Sequence, residues 1–151
     1  MTIARFSPAA ELVSYAGAAP LLLCLIGVGM LPGYALRELA QRIALSYGAV
    51  LLAFTGAVHW GLALAGQMSW TRVRIAGAVL PALVAMAALL VGGQRGLALL
   101  VVGFGLFWVY EHRNAAPELP PAYLSARRNV SAAVCTLLAL TMVLSNTVGL
   151  R

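Results

Sequence analysis

The segment YGAVLLAFTGAVHWGLAL, from Tyr47 to Leu64, decides the fold of this chain because it is long, apolar and free of formal charge. It belongs to an interval of 29 residues between Arg42 and Arg72 that contains no arginine, lysine, aspartate or glutamate. A helix that rises about 1.5 Å per residue needs only about 20 residues to cross a hydrocarbon layer about 30 Å thick. The interval therefore predicts a membrane-spanning helix over residues 43–65.

Small side chains recur at every fourth position of this predicted helix. Residues at this spacing lie along one slowly drifting face, and small side chains on it let another helix approach closely within a membrane. The members of this small-residue stripe are Ala49, Ala53, Ala57, Gly61 and Ala65. We predict that the stripe is a helix-packing surface.

A histidine lies on a second face of the same helix. His59 shares this face with Leu52, Thr55 and Ala63, on the side away from the stripe. An ionisable side chain is costly to expose to lipid, so His59 should point into the bundle or into a water-filled cavity and form a hydrogen bond there. Two interpretations follow: a neutral histidine that links two helices, or the centre of a polar binding site.

The central segment also carries a distinctive pattern, which consists of Tyr47-Gly48-Ala49-Val50, Phe54, Gly56 and Ala57-Val58-His59-Trp60-Gly61. Elsewhere in the chain the pattern includes Leu31-Pro32, Pro81, Tyr123-Leu124 and Arg127. Together these residues resemble a family of small membrane proteins catalogued as domain of unknown function 3429, which includes the mitochondrial transmembrane protein 69. The chain departs from the family at Ala53, Thr55 and Ala122, where serine, leucine and tryptophan are expected, and at Glu111 or His112, where an aspartate is usual. The resemblance implies a multi-span helical protein of an energy-transducing membrane and implies no particular activity.

The composition also indicates a membrane protein. Of the 151 residues, 62% are hydrophobic and 9% are charged, whereas a soluble domain has about 25% charged residues. The ten arginines and four acidic residues give a net charge of +6, and the arginines lie near the ends of apolar segments. This distribution favours contact with anionic lipid headgroups and argues against a nucleic-acid partner. Cys24 and Cys135 lie within apolar segments, and we expect both to be reduced.

We predict an all-α fold, an integral membrane bundle of five transmembrane helices that forms a single domain over residues 1–151. The spans are predicted at 13–31, 43–65, 74–92, 96–110 and 130–150. The first apolar segment is too long for a cleaved signal peptide and should be retained. Pro81 should kink the third helix, and the prolines within residues 111–129 favour an ordered loop there.

Five spans place the two termini on opposite sides of the membrane. The side of the N-terminus then receives six arginines and the other side four. Because arginine and lysine are enriched in cytoplasmic loops, this count favours a cytoplasmic N-terminus in a cell inner membrane.

The same topology brings the ends of several helices to one membrane face, where most of the chemically active side chains gather. The candidate binding residues are His59, Trp60, Thr55, Tyr110, Glu111, His112, Arg72, Arg74 and Arg127. His59 and His112 are of a residue type that can ligate haem, since imidazoles ligate haem iron. A transition metal needs more ligands than two histidines and Glu111 supply. A proton-coupled or ligand-binding cavity needs only one ionisable group inside a bundle.

The sequence contains no nucleophile with its base, no glycine-rich phosphate loop and no pair of intramembrane carboxylates, so we predict no catalytic residue and no metal. No cofactor is required, although haem stays a candidate. We expect a non-catalytic accessory subunit or assembly factor of a larger inner-membrane complex, in contact with the lipid bilayer and with a protein partner or a second copy. The alternative is a binder or carrier of a lipid, quinone or haem, with a polar pocket around His59.

Overall fold

The computed structural model describes residues 15–114 and 117–150. This part of the chain contains helices and no strand. The helices are α1 (Ala19–Met30), α2 (Tyr34–Leu64), α3 (Arg72–Val91), α4 (Gly93–Asn114) and α5 (Pro121–Thr147). The predicted all-α membrane bundle is confirmed.

Four of these helices, α2 to α5, are long and apolar enough to cross a membrane. The helix α1 has only 12 residues and is therefore about 18 Å long, which is shorter than the hydrocarbon layer. The predicted first span, 13–31, begins on residues that lie outside the described part of the chain. Within that part, α1 alone does not have the length of a span.

All four long helices begin earlier than the predicted spans, and α2 and α5 do so by the widest margin. The helix α2 begins at Tyr34 instead of residue 43, directly after Gly33, whose φ of 82° suits glycine at a sharp turn. The helix α5 begins at Pro121 instead of residue 130. Proline is tolerated in the first turn of a helix, where its missing N–H has no acceptor to lose. The predicted bounds of the loop, 111–129, are therefore wrong, because α4 continues to Asn114 and α5 begins at Pro121, and the connection between them is shorter.

The helices α2 to α5 run alternately up and down through the bundle. This arrangement places Leu64, Arg72, Asn114 and Pro121 on one side, which we call the site face. The other ends of these helices form the opposite face, where α3 and α4 meet at Gly92.

The helix α2 lies at the centre of the bundle and packs against all four other helices. The core contains leucines from α1, α2, α4 and α5, and those that are 0% exposed are Leu21, Leu52, Leu97, Leu100 and Leu138. Large apolar side chains such as Leu64 and Leu90 remain exposed on the outside, which is the surface that a bilayer covers. Because α2 lies among the four other helices, it is buried on several of its sides.

The small-residue stripe packs within the chain over only part of its length. Ala49 is buried and Ala53 is half-buried, but Ala57, Gly61 and Ala65 are exposed. Each step of four residues rotates the position by about 40° around the helix axis. Over the five positions of the stripe this rotation leads from the interior of the bundle to its outer surface. Among the described residues only the first part of the stripe is covered within the chain, and the prediction that its remainder packs against a helix stays a prediction.

Candidate functional site

A group of polar side chains lies inside the bundle near the site face, and we call it the polar cluster. Its members are Thr55 and His59 from α2, Tyr110 and Glu111 from α4, and Arg127 from α5. All five are among the predicted candidate residues. Three helices thus bring together residues that are far apart in the sequence.

The His59 side chain is enclosed and has a defined orientation. Its Nδ1 lies 3.2 Å from the carbonyl oxygen of Thr55, and a carbonyl oxygen can only accept a hydrogen bond, which assigns the imidazole proton to Nδ1. The other ring nitrogen, Nε2, lies 3.5 Å from Oε1 of Glu111. The edge of the ring meets Phe107 at a centroid distance of 5.2 Å.

Glu111 and Arg127 form an ion pair in the same enclosed space. Nε of Arg127 lies 3.3 Å from Oε1 of Glu111, and the Glu111 side chain is only 4% exposed. A second guanidinium nitrogen, Nη2, donates a hydrogen bond to the carbonyl oxygen of Thr55 at 3.1 Å. The guanidinium also lies 5.9 Å from the centre of the Phe107 ring, a distance at which a cation is attracted to an aromatic face.

The geometry of His59 and Glu111 allows one proton to bind between them. With Nδ1 protonated, Nε2 presents a lone pair to a carboxylate oxygen, and two acceptors that face each other repel. A single proton on either Nε2 or Oε1 removes this repulsion. When Arg127 is charged, the net charge of the polar cluster is zero without the shared proton and +1 when the proton is bound.

Several polar atoms in and beside the cluster have no hydrogen-bond partner among the described residues. They are Nε2 of His59, Oε1 of Glu111, Nε of Arg127 and the hydroxyls of Tyr110 and Tyr123. Buried polar atoms in proteins are normally paired, and an exception needs an explanation such as a bound molecule, water or a functional role. Three of these atoms face one another, with Oε1 of Glu111 at 3.5 Å from Nε2 of His59 and 3.3 Å from Nε of Arg127. The two tyrosine hydroxyls are therefore the unused hydrogen-bonding capacity of this region.

Two of the cavities beside the polar cluster are lined by its charged members, Arg127 and Glu111. The first has a volume of about 290 Å³ and combines the polar side chains of Thr55, Tyr123 and Arg127 with apolar walls that include Phe54 and Phe104. The second, of about 200 Å³, is lined by Trp108, Glu111, His112, Pro121, Leu124, Ser125 and Arg128. The cluster therefore separates a mainly apolar cavity from a more polar one.

The structure places four other candidate residues outside the cluster. Trp60 and Arg72 are exposed, and His112 is exposed and stacks on Trp108. Arg74 binds Glu118 instead. His59 is enclosed while His112 is on the surface, so the two imidazoles lie in different environments.

Arg74 connects two loops on the site face. Its guanidinium donates to both carboxylate oxygens of Glu118, at 2.7 and 2.8 Å, and to the carbonyl oxygen of Asn114 at 3.2 Å. The backbone N–H of Ser69 donates to the same carboxylate at 3.1 Å. We call Ser69, Arg74 and Glu118 the loop clamp, since it ties the α2–α3 connection to the α4–α5 connection.

The loop clamp should open in acid. The Arg74 guanidinium, and after it the Ser69 N–H, hold the pKa of Glu118 below its usual range. A carboxyl group with a lowered pKa in the folded state contributes stability above its unfolded pKa of about 4.3, and this contribution is lost as the pH falls through the lowered value. We expect the hydrogen-exchange protection of the Ser69 amide, corrected for intrinsic rates, to fall at these pH values. In Glu118→Gln the protection should no longer vary with pH, and a constant protection in the wild type down to pH about 3 would contradict the prediction.

Sequence reasoning overlooked three residues of this region as site residues: Phe107, Glu118 and Tyr123. Phe107 and Tyr123 lie four residues before Glu111 and Arg127, on the same helix faces, so helical spacing contains a signal for both. Glu118 has a weaker signal, because only the topology places it near the arginines of the α2–α3 connection.

The fold and the polar cluster together define a small helical membrane protein with an enclosed ionisable site. The chain belongs to the DUF3429 family, since the model described as "Protein of unknown function (DUF3429)" matches residues 6–143. Neither the curated proteins nor the solved structures contain a match to it.

Proposed function

We propose that this protein binds an amphiphilic small molecule within the membrane and that the polar cluster receives its head group. The observation that carries the proposal is the hydroxyl of Tyr123, a buried donor beside the first cavity that has no partner among the described residues. Ligand sites are typically apolar concave spaces with a few convergent polar groups. The proposed activity is binding or carriage, and we assign no catalytic residue.

The chemistry of the cavity limits the class of ligand. A hydroxyl and a guanidinium donate hydrogen bonds, so the head group should carry an acceptor such as a carbonyl or carboxylate oxygen. The apolar walls formed by Leu51, Phe54 and Phe104 suit a ring or an acyl chain. A quinone or a lipid carbonyl has both features.

A second candidate function is supported by the exposed half of the small-residue stripe. Ala57, Gly61 and Ala65 form an open strip on α2, next to Trp60, which is 52% exposed. Small residues let another helix approach closely in a membrane. A partner helix at this strip would make the protein an accessory subunit or assembly factor of a larger complex, or a homo-oligomer.

The experiment that tests the proposal is native mass spectrometry of the protein extracted gently from its own membrane. We expect a constant non-protein mass on the wild type and a lower occupancy in Tyr123→Phe, because the loss of a hydrogen bond of about 1.4 kcal/mol weakens binding about tenfold. The matched control is Tyr34→Phe, since Tyr34 is 58% exposed on the opposite face.

Two results would contradict the binding proposal. One is equal occupancy in the wild type and Tyr123→Phe. The other is a mass that contains further polypeptides in a fixed ratio and no small molecule, which would support the accessory-subunit function instead.

The location that we propose is a cell inner membrane with the site face in the cytoplasm. Among the described residues, the site face has Arg72, Arg74, Arg113, Arg127 and Arg128, and the opposite face has Arg37, Arg42 and Arg95. The excess of arginine on the site face supports this orientation.

A further inference from the structure

A polar cavity lies on the opposite face of the bundle, away from the polar cluster. It has a volume of about 440 Å³ and lies between α2 and the turn that joins α3 to α4. Its polar lining comes from Glu38, Gln41, Arg42, Ser46 and the backbone of Gly92 and Gly93, and its apolar wall from Leu45 and Leu89. The proposed function does not use this cavity.

Gln41 is the unusual residue of this cavity. It is only 4% exposed, and its Nε2 has no hydrogen-bond partner among the described residues. An amide nitrogen carries two N–H donors, and burying them without an acceptor is costly. The side chain lines the cavity, so an acceptor within the cavity would satisfy it.

The start of α4 adds a second feature that favours an acceptor. The helix begins at Gly93 and has no acidic residue in its first turn. The first N–H groups of a helix have no acceptors within the helix, and the positive end of the helix dipole lies there, so this end attracts anions. The preceding Gly92 has a φ of 69° and no side chain to cover these N–H groups.

We propose that this cavity binds a phosphate group, held by the Gln41 amide, the first amides of α4 and the Arg42 guanidinium. Glu38 also lines the cavity, and its carboxylate pairs with Arg42 at 2.6 Å, which reduces the positive charge available to the anion. The phosphate belongs either to a lipid headgroup or to free phosphate. The position at a membrane face and the leucine wall are compatible with a headgroup attached to acyl chains.

Titration of the detergent-purified full chain in phosphate-free buffer tests the proposal, with dioleoyl phosphatidylglycerol as the probe. Dioleoylglycerol, which has the same chains and no phosphate, is the control lipid. We expect phosphatidylglycerol to bind more tightly than dioleoylglycerol, and Gln41→Leu to weaken the binding of phosphatidylglycerol about tenfold. Gln67→Leu is the matched control variant, because Gln67 is exposed near the site face.

Arg42→Gln provides a second variant that should fold normally, since the Arg42 side chain is 72% exposed. We expect it to weaken phosphatidylglycerol binding severalfold. If inorganic phosphate competes with phosphatidylglycerol, the site is a site for free phosphate. If it does not compete, the site is a site for a lipid headgroup. Equal binding of the two lipids, or binding by Gln41→Leu that equals binding by Gln67→Leu, would overturn the proposal.

Discussion

Replacing Arg127 with leucine is expected to lower the free energy of unfolding by about 3 kcal/mol, because the change removes the permanent positive charge beside an enclosed carboxylate. Exposed ion pairs contribute about 1 kcal/mol or less, but the Glu111 side chain is only 4% exposed. Its remaining ionisable neighbour is His59, with Nε2 at 3.5 Å. A proton taken up by His59 and Glu111 neutralises the carboxylate charge and so reduces the loss of stability. We therefore expect a loss at the lower end of the range of about 3–5 kcal/mol for broken buried ion pairs.

Reversible unfolding in mild detergent micelles measures this effect. Arg128→Leu is the matched control, since Arg128 is the next residue on α5 and is exposed, and it should change stability by less than about 0.5 kcal/mol. Adding Glu111→Gln to Arg127→Leu should recover part of the loss, with a coupling energy of about 1–3 kcal/mol. Equal effects of Arg127→Leu and Arg128→Leu would show that the ion pair contributes nothing to folding.

The sequence predicts the inward direction of His59, but it does not predict which residues contact it. The cost of exposing an imidazole to lipid applies wherever the neighbouring helices lie. The choice between Glu111 and His112 depends on how α4 is rotated, because adjacent residues lie about 100° apart around a helix. The structure turns Glu111 inward and His112 outward, and both residues are equally compatible with the sequence pattern.

The boundaries of the helices show a similar limit. Uncharged intervals identify the apolar parts of α2 to α5, since only those parts must satisfy the membrane. The prolines within residues 111–129 suggest a loop, yet α5 begins at Pro121 and Arg127 lies inside the bundle, where Glu111 and the Thr55 carbonyl compensate its charge. The start of α5 therefore depends on tertiary contacts, which hydropathy does not contain.

Glycine at position 56 is expected to be indispensable for the packing of α2 against α3. A Cβ added to Gly56 would lie 2.5 Å from the carbonyl oxygen of Ala78 and 3.1 Å from Cγ of Pro81. The Ala78 oxygen belongs to the backbone of α3, so it cannot move away as a flexible side chain can. We expect Gly56→Ala to lower the free energy of unfolding by about 2 kcal/mol, as for other overpacked sites.

Gly61→Ala is the matched control, because the same substitution on the same helix meets no atom within 4 Å. In an isolated chain it should be neutral or slightly stabilising, since alanine favours the helix over glycine by up to about 1 kcal/mol. Detergent unfolding of both variants measures the difference, and equal stability would contradict the close approach of α2 and α3. If a partner helix covers the exposed part of the stripe, Gly61→Ala should weaken that association while the monomer keeps its stability. The pair of variants thus separates packing within the chain from packing against a partner.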